Sequence, residues 1–255
     1  MLKVSVIGTG NVAKHLYNAF LNVETVEIVQ VVGRNKKALS SFGIEEKTTS
    51  DFSEIKDAAD IYLIAVSDSA IPAVSQKLES KSGLVAHTSG ASSIEMLSKH
   101  KAYGVFYPLQ TFSKDQEIDF RKVPVCIEGS TKSNMTKLKR LGSEISESVH
   151  KVDSEQRQAL HLSAVFVNNF TNHLFYIGNK ICEENQLPFD LLQPLIEETV
   201  QKLKNTTPFD AQTGPARRGD QETLNSHIEQ LGNLQDKEIY NLLSQSIQST
   251  YGKKL

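Results

Sequence analysis

A short apolar run, Val4-Ser5-Val6-Ile7, ends in Gly8-Thr9-Gly10-Asn11-Val12-Ala13 and passes at once into a helical pattern. No other stretch restricts the fold as tightly. Gly8 permits a sharp strand-to-helix turn. Gly10 leaves the backbone bare, so a pyrophosphate can approach it. Ala13 is small enough for the helix to pack closely on a sheet. The free N–H groups at the helix start, from Thr9 through Val12, then face negative charge. A Gly-x-Gly-x-x-Ala string alone is weak, because glycine-rich turns are ordinary in α/β proteins. Placed between a strand and a helix, it reads as a dinucleotide site.

The residue type expected to meet the adenosine ribose lies about twenty residues further on. Val26-Glu27-Ile28-Val29-Gln30-Val31-Val32 is a β-branched strand, and it exits into Gly33-Arg34-Asn35. An acidic residue here would bind a ribose 2′-hydroxyl. It is missing. A guanidinium can instead pair with a 2′-phosphate, which a carboxylate would repel. The pattern therefore favours NADP over NAD, with Asn35 able to add a hydrogen bond. The bland alternative for Arg34 is a solvated loop arginine.

Alternation of strand and helix continues through the first half. A helix is expected over about 11–21 and a short one over 36–42. A short strand is expected near 46–50 and a helical turn over 53–58. Ile61 to Val66 is apolar throughout, as buried parallel strands are. Ser69 is placed to cap the next helix, with Pro72 in its first turn. Further strands are expected at 84–86, 103–107, 123–128 and 148–152, with a helix over 135–145. This is a doubly wound sheet with parallel order at its core. Ligands in such sheets bind beyond the carboxyl ends of the strands. Val66-Ser67-Asp68 and His87-Thr88-Ser89-Gly90 fall at those ends and are candidate walls of a nicotinamide site.

From about Asp153 the alternation stops and helices take over, so the expected domains are residues 1–152 and 153–255. One long helix is expected over 156–184, too apolar to stand exposed. On it His161, Asn168 and Asn172 lie at i, i+7 and i+11, one stripe at helical spacing, with Asn169 beside it. Buried polar groups need partners, because each one left unpaired costs about 1–3 kcal/mol. A substrate and ordinary structural hydrogen bonds are both open as partners. After a helix over 189–204, residues 205–220 read as a loop ending in Thr213-Gly214-Pro215-Ala216-Arg217-Arg218-Gly219-Asp220. Arg217 and Arg218 could clamp a carboxylate or could be solvated. Asp220 caps a helix to about 231, and a last helix spans about 236–249.

The bulk numbers exclude some classes. Charged residues make up 23% and hydrophobic residues 39%, with a net charge of −2 and no basic face. Nucleic acid is not the expected partner. No apolar run is long enough to span a membrane. Cys126 and Cys182 lie far apart, show no metal-type spacing and are expected to be buried reduced thiols. A cytoplasmic protein with no metal site follows as the expectation.

The chain resembles the Rossmann-like proteins with a DUF2520 C-terminal domain. These are related to pyrroline-5-carboxylate reductases, 6-phosphogluconate and β-hydroxyacid dehydrogenases, prephenate dehydrogenases and NADP-dependent F420 reductases. The carriers are Ile7 to Ala13, Ala65-Val66-Ser67-Asp68, His87 to Gly90, Tyr107 to Phe112, His161 with Asn168-Asn169-Phe170, and Thr213 to Asp220. The resemblance implies an N-terminal dinucleotide domain, an all-helical C-terminal domain, an active site between them and a homodimer built through the C-terminal helices. Two departures matter. Where β-hydroxyacid dehydrogenases carry a lysine on the interdomain helix, with an asparagine four residues later, this chain has His161 and Val165. Where prephenate dehydrogenases carry a histidine before a proline, it has Tyr107.

The resulting expectation is an NADP-dependent oxidoreductase that moves a hydride to or from a small C=O or C=N substrate. His161 is the first choice for proton transfer, since an imidazole titrates near neutral pH, and His87 the second. Ser89, Asn168 and Asn169 would orient the substrate, and Arg217 or Arg218 would hold a substrate anion. A non-catalytic NADP-binding sensor or assembly protein is the alternative, and an F420-dependent NADP reductase ranks below it.

Overall fold

The computed structural model describes residues 1–114 and 116–252, apart from the side chain of Glu45. The chain divides into two compact units, Met1–Asn169 and Phe170–Leu255.

The first unit is built on β1 (Leu2–Ile7), α1 (Asn11–Leu21), β2 (Val26–Val32), α2 (Lys36–Ser40), β3 (Thr48–Thr49), β4 (Ile61–Ile64), α3 (Ile71–Gln76), β5 (Leu84–His87), β6 (Tyr103–Pro108), β7 (Val125–Gly129), α4 (Lys132–Ile145), β8 (Val149–Lys151) and α5 (Ser154–Ala164). The strands form one sheet in the order β3-β2-β1-β4-β5-β6-β7-β8. From β3 to β6 every pair is parallel; β7 runs antiparallel to β6, and β8 lies parallel to β7. This is the doubly wound α/β sheet that the alternation predicts.

The central strands are apolar throughout because both faces of the sheet are covered. Successive side chains alternate between two cores. Val4 and Val6 of β1 and Ile61 and Leu63 of β4 join Leu16, Phe20, Phe106 and Leu138 on one face. Ile7, Tyr62 and Ile64 join Ile71, Leu78 and Leu97 on the other. Parallel register brings Ile7 beside Val32 and Ile64, and Ile64 beside His87. The exits of β1, β2, β4 and β5 therefore open side by side.

Some boundaries differ from expectation. Ser69 caps nothing: α3 follows a 3-10 turn over Asp68–Ala70, and its N-cap is Ala70, with no side-chain bond. The helix expected over 135–145 starts earlier, at Lys132, because Thr131 accepts from the Asn134 amide.

The long helix expected over 156–184 is three elements. α5 passes into a π-helical segment, Val165–Phe170, followed by α6 (Thr171–Glu184). A π turn takes in an extra residue, and one residue is about 100° of helical rotation. His161, Asn168 and Asn172 therefore do not form the single stripe that 3.6-residue spacing implies. Nor is the segment buried. Leu162, Phe166, Val167 and Phe170 are all exposed, as are Asn168 and Asn169.

The second unit adds α7 (Gln193–Lys202), α8 (Pro208–Ala211), α9 (Pro215–Arg218), α10 (Gln221–Gln230) and α11 (Leu234–Tyr251) to α6. The loop expected over 205–220 contains two short helices, each with proline in its first turn. Proline's fixed φ is already helical there, where its missing N–H is not needed. Asp220 accepts from the Thr223 amide and caps α10 as expected. Cys126 is buried, but Cys182 is only half-buried. Among the described residues no helix is long and apolar enough to cross a membrane, and no group of side chains is suited to a metal ion.

Candidate functional site

The glycine turn is fixed by its surroundings. Gly8 has φ +144°, and a Cβ there would lie 2.0 Å from the Ala65 carbonyl oxygen of the β4 exit. Its amide donates to the Val32 carbonyl at 2.7 Å, closing β1 against β2. Only glycine satisfies both conditions. Gly10 is the opposite case: a Cβ there would meet nothing within 4 Å. The protein leaves that space open. Gly10 is also the N-cap of α1 and supplies no side-chain cap. The first helical bond comes from Lys14 to the Gly10 carbonyl, so the amides of Asn11, Val12 and Ala13 precede the helical ladder. Such an end is suited to a phosphate. Ala13 is fully buried and seats α1 on the sheet.

A cavity of about 1060 Å³ opens on this turn. Gly8, Thr9, Gly10, Asn11 and Val12 form its floor, and Gly33, Arg34 and Asn35 line it from the β2 exit. Val66 and Ser67 line it from the β4 exit, whereas Asp68 does not border it. A Cβ at Gly33 would come within 2.4 Å of Thr9 Cγ2, so any larger residue there would force the Thr9 side chain to move. The Asn35 side chain accepts from the Ala38 amide and caps α2, which holds the Arg34 backbone at the rim. Ala70, Ala73, Val74, Lys77, Gln110 and Phe112 were not anticipated as lining residues. The first four share one helical face, a pattern readable in the sequence once α3 is placed. Gln110 and Phe112 follow β6. The Phe112 carbonyl is held at 2.7 Å by Asn11 Nδ2, which ties that segment to the start of α1. Among the described residues no Asp or Glu lines the cavity.

A second cluster sits where β5 and β6 end. The Tyr107 hydroxyl lies 3.1 Å from His161 Nδ1. Gly90 makes room for both: a Cβ there would lie 2.7 Å from His161 Nδ1 and 2.7 Å from Tyr107 Cζ. Burial pushes the Tyr107 phenol up to about 12, with the Cys126 thiol adding in the same direction. The hydroxyl therefore keeps its proton at neutral pH and shares a hydrogen bond with Nδ1 of the imidazole.

His161 reaches this place because α5 is anchored one turn earlier. Arg157 is fully buried. It pairs with Glu128 of β7 and donates to the Ser92 carbonyl at 2.5 Å. Ser154 binds the same carboxylate through its amide at 3.1 Å and its hydroxyl at 2.9 Å. In the sequence Tyr107 stands out only as a departure from the prephenate dehydrogenases, and Arg157 does not stand out at all. Their signal is spatial, since β6 meets α5 only in the fold.

The other candidates are placed differently. His87 is fully buried. Its Nδ1 accepts from the Ser89 amide at 3.2 Å, and Nε2 lies 3.3 Å from the Ser93 carbonyl. Burial, then the Arg157 charge, lowers its pKa to about 4. At neutral pH the ring is therefore uncharged, and both its nitrogens face backbone groups. Ser89 Oγ accepts from the amides of Ala91 and Ser92, so it shapes the loop that carries Gly90. Asn168 and Asn169 lie exposed on the π-helical segment, and this cluster does not include them. In the second unit, Arg217 donates to the carbonyls of Asp210 and Gln212 and covers the Tyr251 ring. Arg218 is exposed and only 3.9 Å-paired to Asp220.

Comparison with known proteins agrees with this architecture. Residues 3–88 match the family described as NADP oxidoreductase coenzyme F420-dependent, and residues 123–247 match the domain of unknown function DUF2520. No curated protein matches the sequence. Among solved structures, BF3122 from Bacteroides fragilis, provisionally named an NADP oxidoreductase, is 36% identical with a TM-score of 0.90, over 97% of this chain and 98% of that one. TM1727 from Thermotoga maritima is 19% identical with a TM-score of 0.79, over 97% and 99%. A pyrroline-5-carboxylate reductase from Coxiella burnetii is 16% identical with a TM-score of 0.57, over 97% and 92%, and shares the fold. Through its near-complete match to BF3122 and its own two domain matches, this chain belongs to the DUF2520 family of Rossmann-type proteins.

Proposed function

We propose that the chain is an NADP-dependent oxidoreductase that moves a hydride between the nicotinamide and a small C=O or C=N substrate. One observation carries the cofactor reading. The cavity on the glycine turn has an open Gly10 at a helix N-terminus and Arg34 at the β2 exit, and among the described residues no carboxylate lines it. The residues present fit a dinucleotide. Gly8 to Val12 would hold the pyrophosphate, Arg34 and Asn35 the ribose phosphate, and Val66 and Ser67 the nicotinamide half. The bound cofactor supplies or accepts the hydride.

The protein's own task is to orient the acceptor and manage one proton. His161, held by Tyr107, gives a proton to the reduced oxygen or nitrogen, or takes it in the reverse direction. The C=N option has support from the Coxiella relative, whose name is that of an enzyme acting on a cyclic imine. Asn168 and Asn169 remain candidates for contacts to substrate. Arg218 is the arginine of its pair left available for a substrate anion. In this reading residues 1–152 bind the nucleotide, and residues 153–255 supply substrate contacts and a homodimer interface. A cytoplasmic setting suits the two free thiols.

Fluorescence titration with NADPH and NADH tests the reading, with Arg34→Asp alongside. Tighter binding of NADPH, reversed in the variant, supports it and justifies a screen of carbonyls and imines. Absence of binding by either nucleotide overturns it.

A further inference from the structure

Arg34 has a counterpart on the opposite wall of the cavity. Among the described residues, Arg34 and Lys77 are the two cationic side chains lining it, and no Asp or Glu does so. Neither side chain has an ion-pair or hydrogen-bond partner among the described residues. Arg34 follows β2 and Lys77 follows α3, which comes after β4; β2 and β4 flank β1 on either side. The two charges therefore converge on the cavity from both sides of the glycine turn.

The α3 wall has a graded chemistry. Ala70, Ala73, Val74 and Lys77 recur at i, i+3, i+4 and i+7, so they form one stripe. The first three are short and apolar, a surface for the flat face of an adenine ring. The fourth carries an ammonium on a four-carbon stem. Its backbone is fixed, since the Lys77 amide closes α3 onto the Val74 carbonyl at 3.0 Å. Two like charges bordering one cavity with no Asp or Glu among its described lining residues favour the entry of an anion. A 2′-phosphate carries two charges and three acceptor oxygens, enough for both cations.

We propose that Lys77 is the second cation of the 2′-phosphate subsite. Adenine lies against Ala73 and Val74, and the phosphate is held between the Arg34 guanidinium and the Lys77 ammonium. This rests on the NADP reading above and assigns the cofactor preference to two walls of the cavity rather than one. Lys77 is exposed and outside both cores, so its replacement leaves the fold intact.

The experiment is a titration of wild type, Lys77→Gln and Lys77→Arg with NADPH and with NADH, read by fluorescence. Lys77→Gln weakens NADPH about tenfold, the loss of one charge-assisted bond, and changes NADH less than about twofold. Lys77→Arg restores most of the NADPH affinity. Equal weakening of both dinucleotides assigns Lys77 to the pyrophosphate and overturns the proposal, as does an unchanged affinity for NADPH. Wild-type protein without preference for NADPH overturns the underlying cofactor reading, and the subsite falls with it.

Discussion

The Tyr107 hydroxyl lies 3.1 Å from His161 Nδ1, joining the carboxyl end of β6 to the fourth position after the Arg157 anchor of α5. The phenol is protonated at any physiological pH, so the bond holds the ring through Nδ1 and leaves Nε2 as the nitrogen for proton exchange. Replacing His161 with Gln lowers turnover about a hundredfold, while NADPH affinity changes less than about twofold. Replacing Tyr107 with Phe removes the hydrogen bond that holds the imidazole through Nδ1. The ¹⁵N resonance of His161 Nδ1 then shifts, and turnover falls about tenfold. Full activity in His161→Gln would move the proton step to another group.

His87 makes stability depend on pH. Its folded pKa is about 4, below the ordinary 6.5. The unfolded chain therefore binds the proton more readily between those values, and stability rises with pH across that window. The contribution is complete above about pH 6.5 and is lost as pH falls toward 4, a change of about 3 kcal/mol. Burial of His100 pushes its ring the same way and steepens the slope. Urea unfolding at pH 7, 5.5 and 4.5 measures this. His87→Asn flattens most of the slope if the buried ring is its source, and an unchanged slope assigns the dependence elsewhere.

The two glycines of the turn separate folding from binding. At Gly8 an alanine meets the Ala65 carbonyl at 2.0 Å and a φ of +144°. Gly8→Ala destabilises the protein by at least about 2 kcal/mol. At Gly10 an alanine meets no protein atom within 4 Å. Gly10→Ala melts within about 2 °C of wild type, yet its methyl stands where the pyrophosphate approaches, and NADPH affinity falls at least tenfold. Melting curves and titrations on both variants separate the two roles. A Gly10→Ala protein that binds NADPH normally makes this turn purely structural.

What the sequence discloses depends on the range of the interactions that decide it. The glycine turn, the β2 exit at Arg34 and the parallel core are legible because strand period, glycine placement and helix start are local. The cap at Asp220 is legible for the same reason. The Tyr107–His161 pair is not, because its members are 54 residues apart and meet only through the anchor of Arg157 to Glu128. The π-helical segment is missed because an apolar pattern reads the same at either helical pitch over six residues. His87 stands at the right strand end for chemistry. Its full burial and its two backbone contacts are not visible in a residue type.

The helical unit sets the last prediction. Among its described residues only Ala216 and Leu224 are buried apolar side chains. Leu195 is 63% and Leu242 68% exposed, and Leu187, Leu191, Val200 and Leu203 are exposed with them. A chain segment this long needs far more burial to offset its conformational entropy. Apolar surface on this scale marks an interface, and a second copy of the same chain is the occupant we expect. Light scattering after size exclusion should give a dimer. The melting temperature should rise with protein concentration, as mass action requires when folding and assembly are linked. Leu195→Asp with Leu242→Asp should shift the protein to monomer and lower its melting temperature at fixed concentration. A wild-type monomer whose melting temperature does not depend on concentration would mean that the helices are stabilised in some other way.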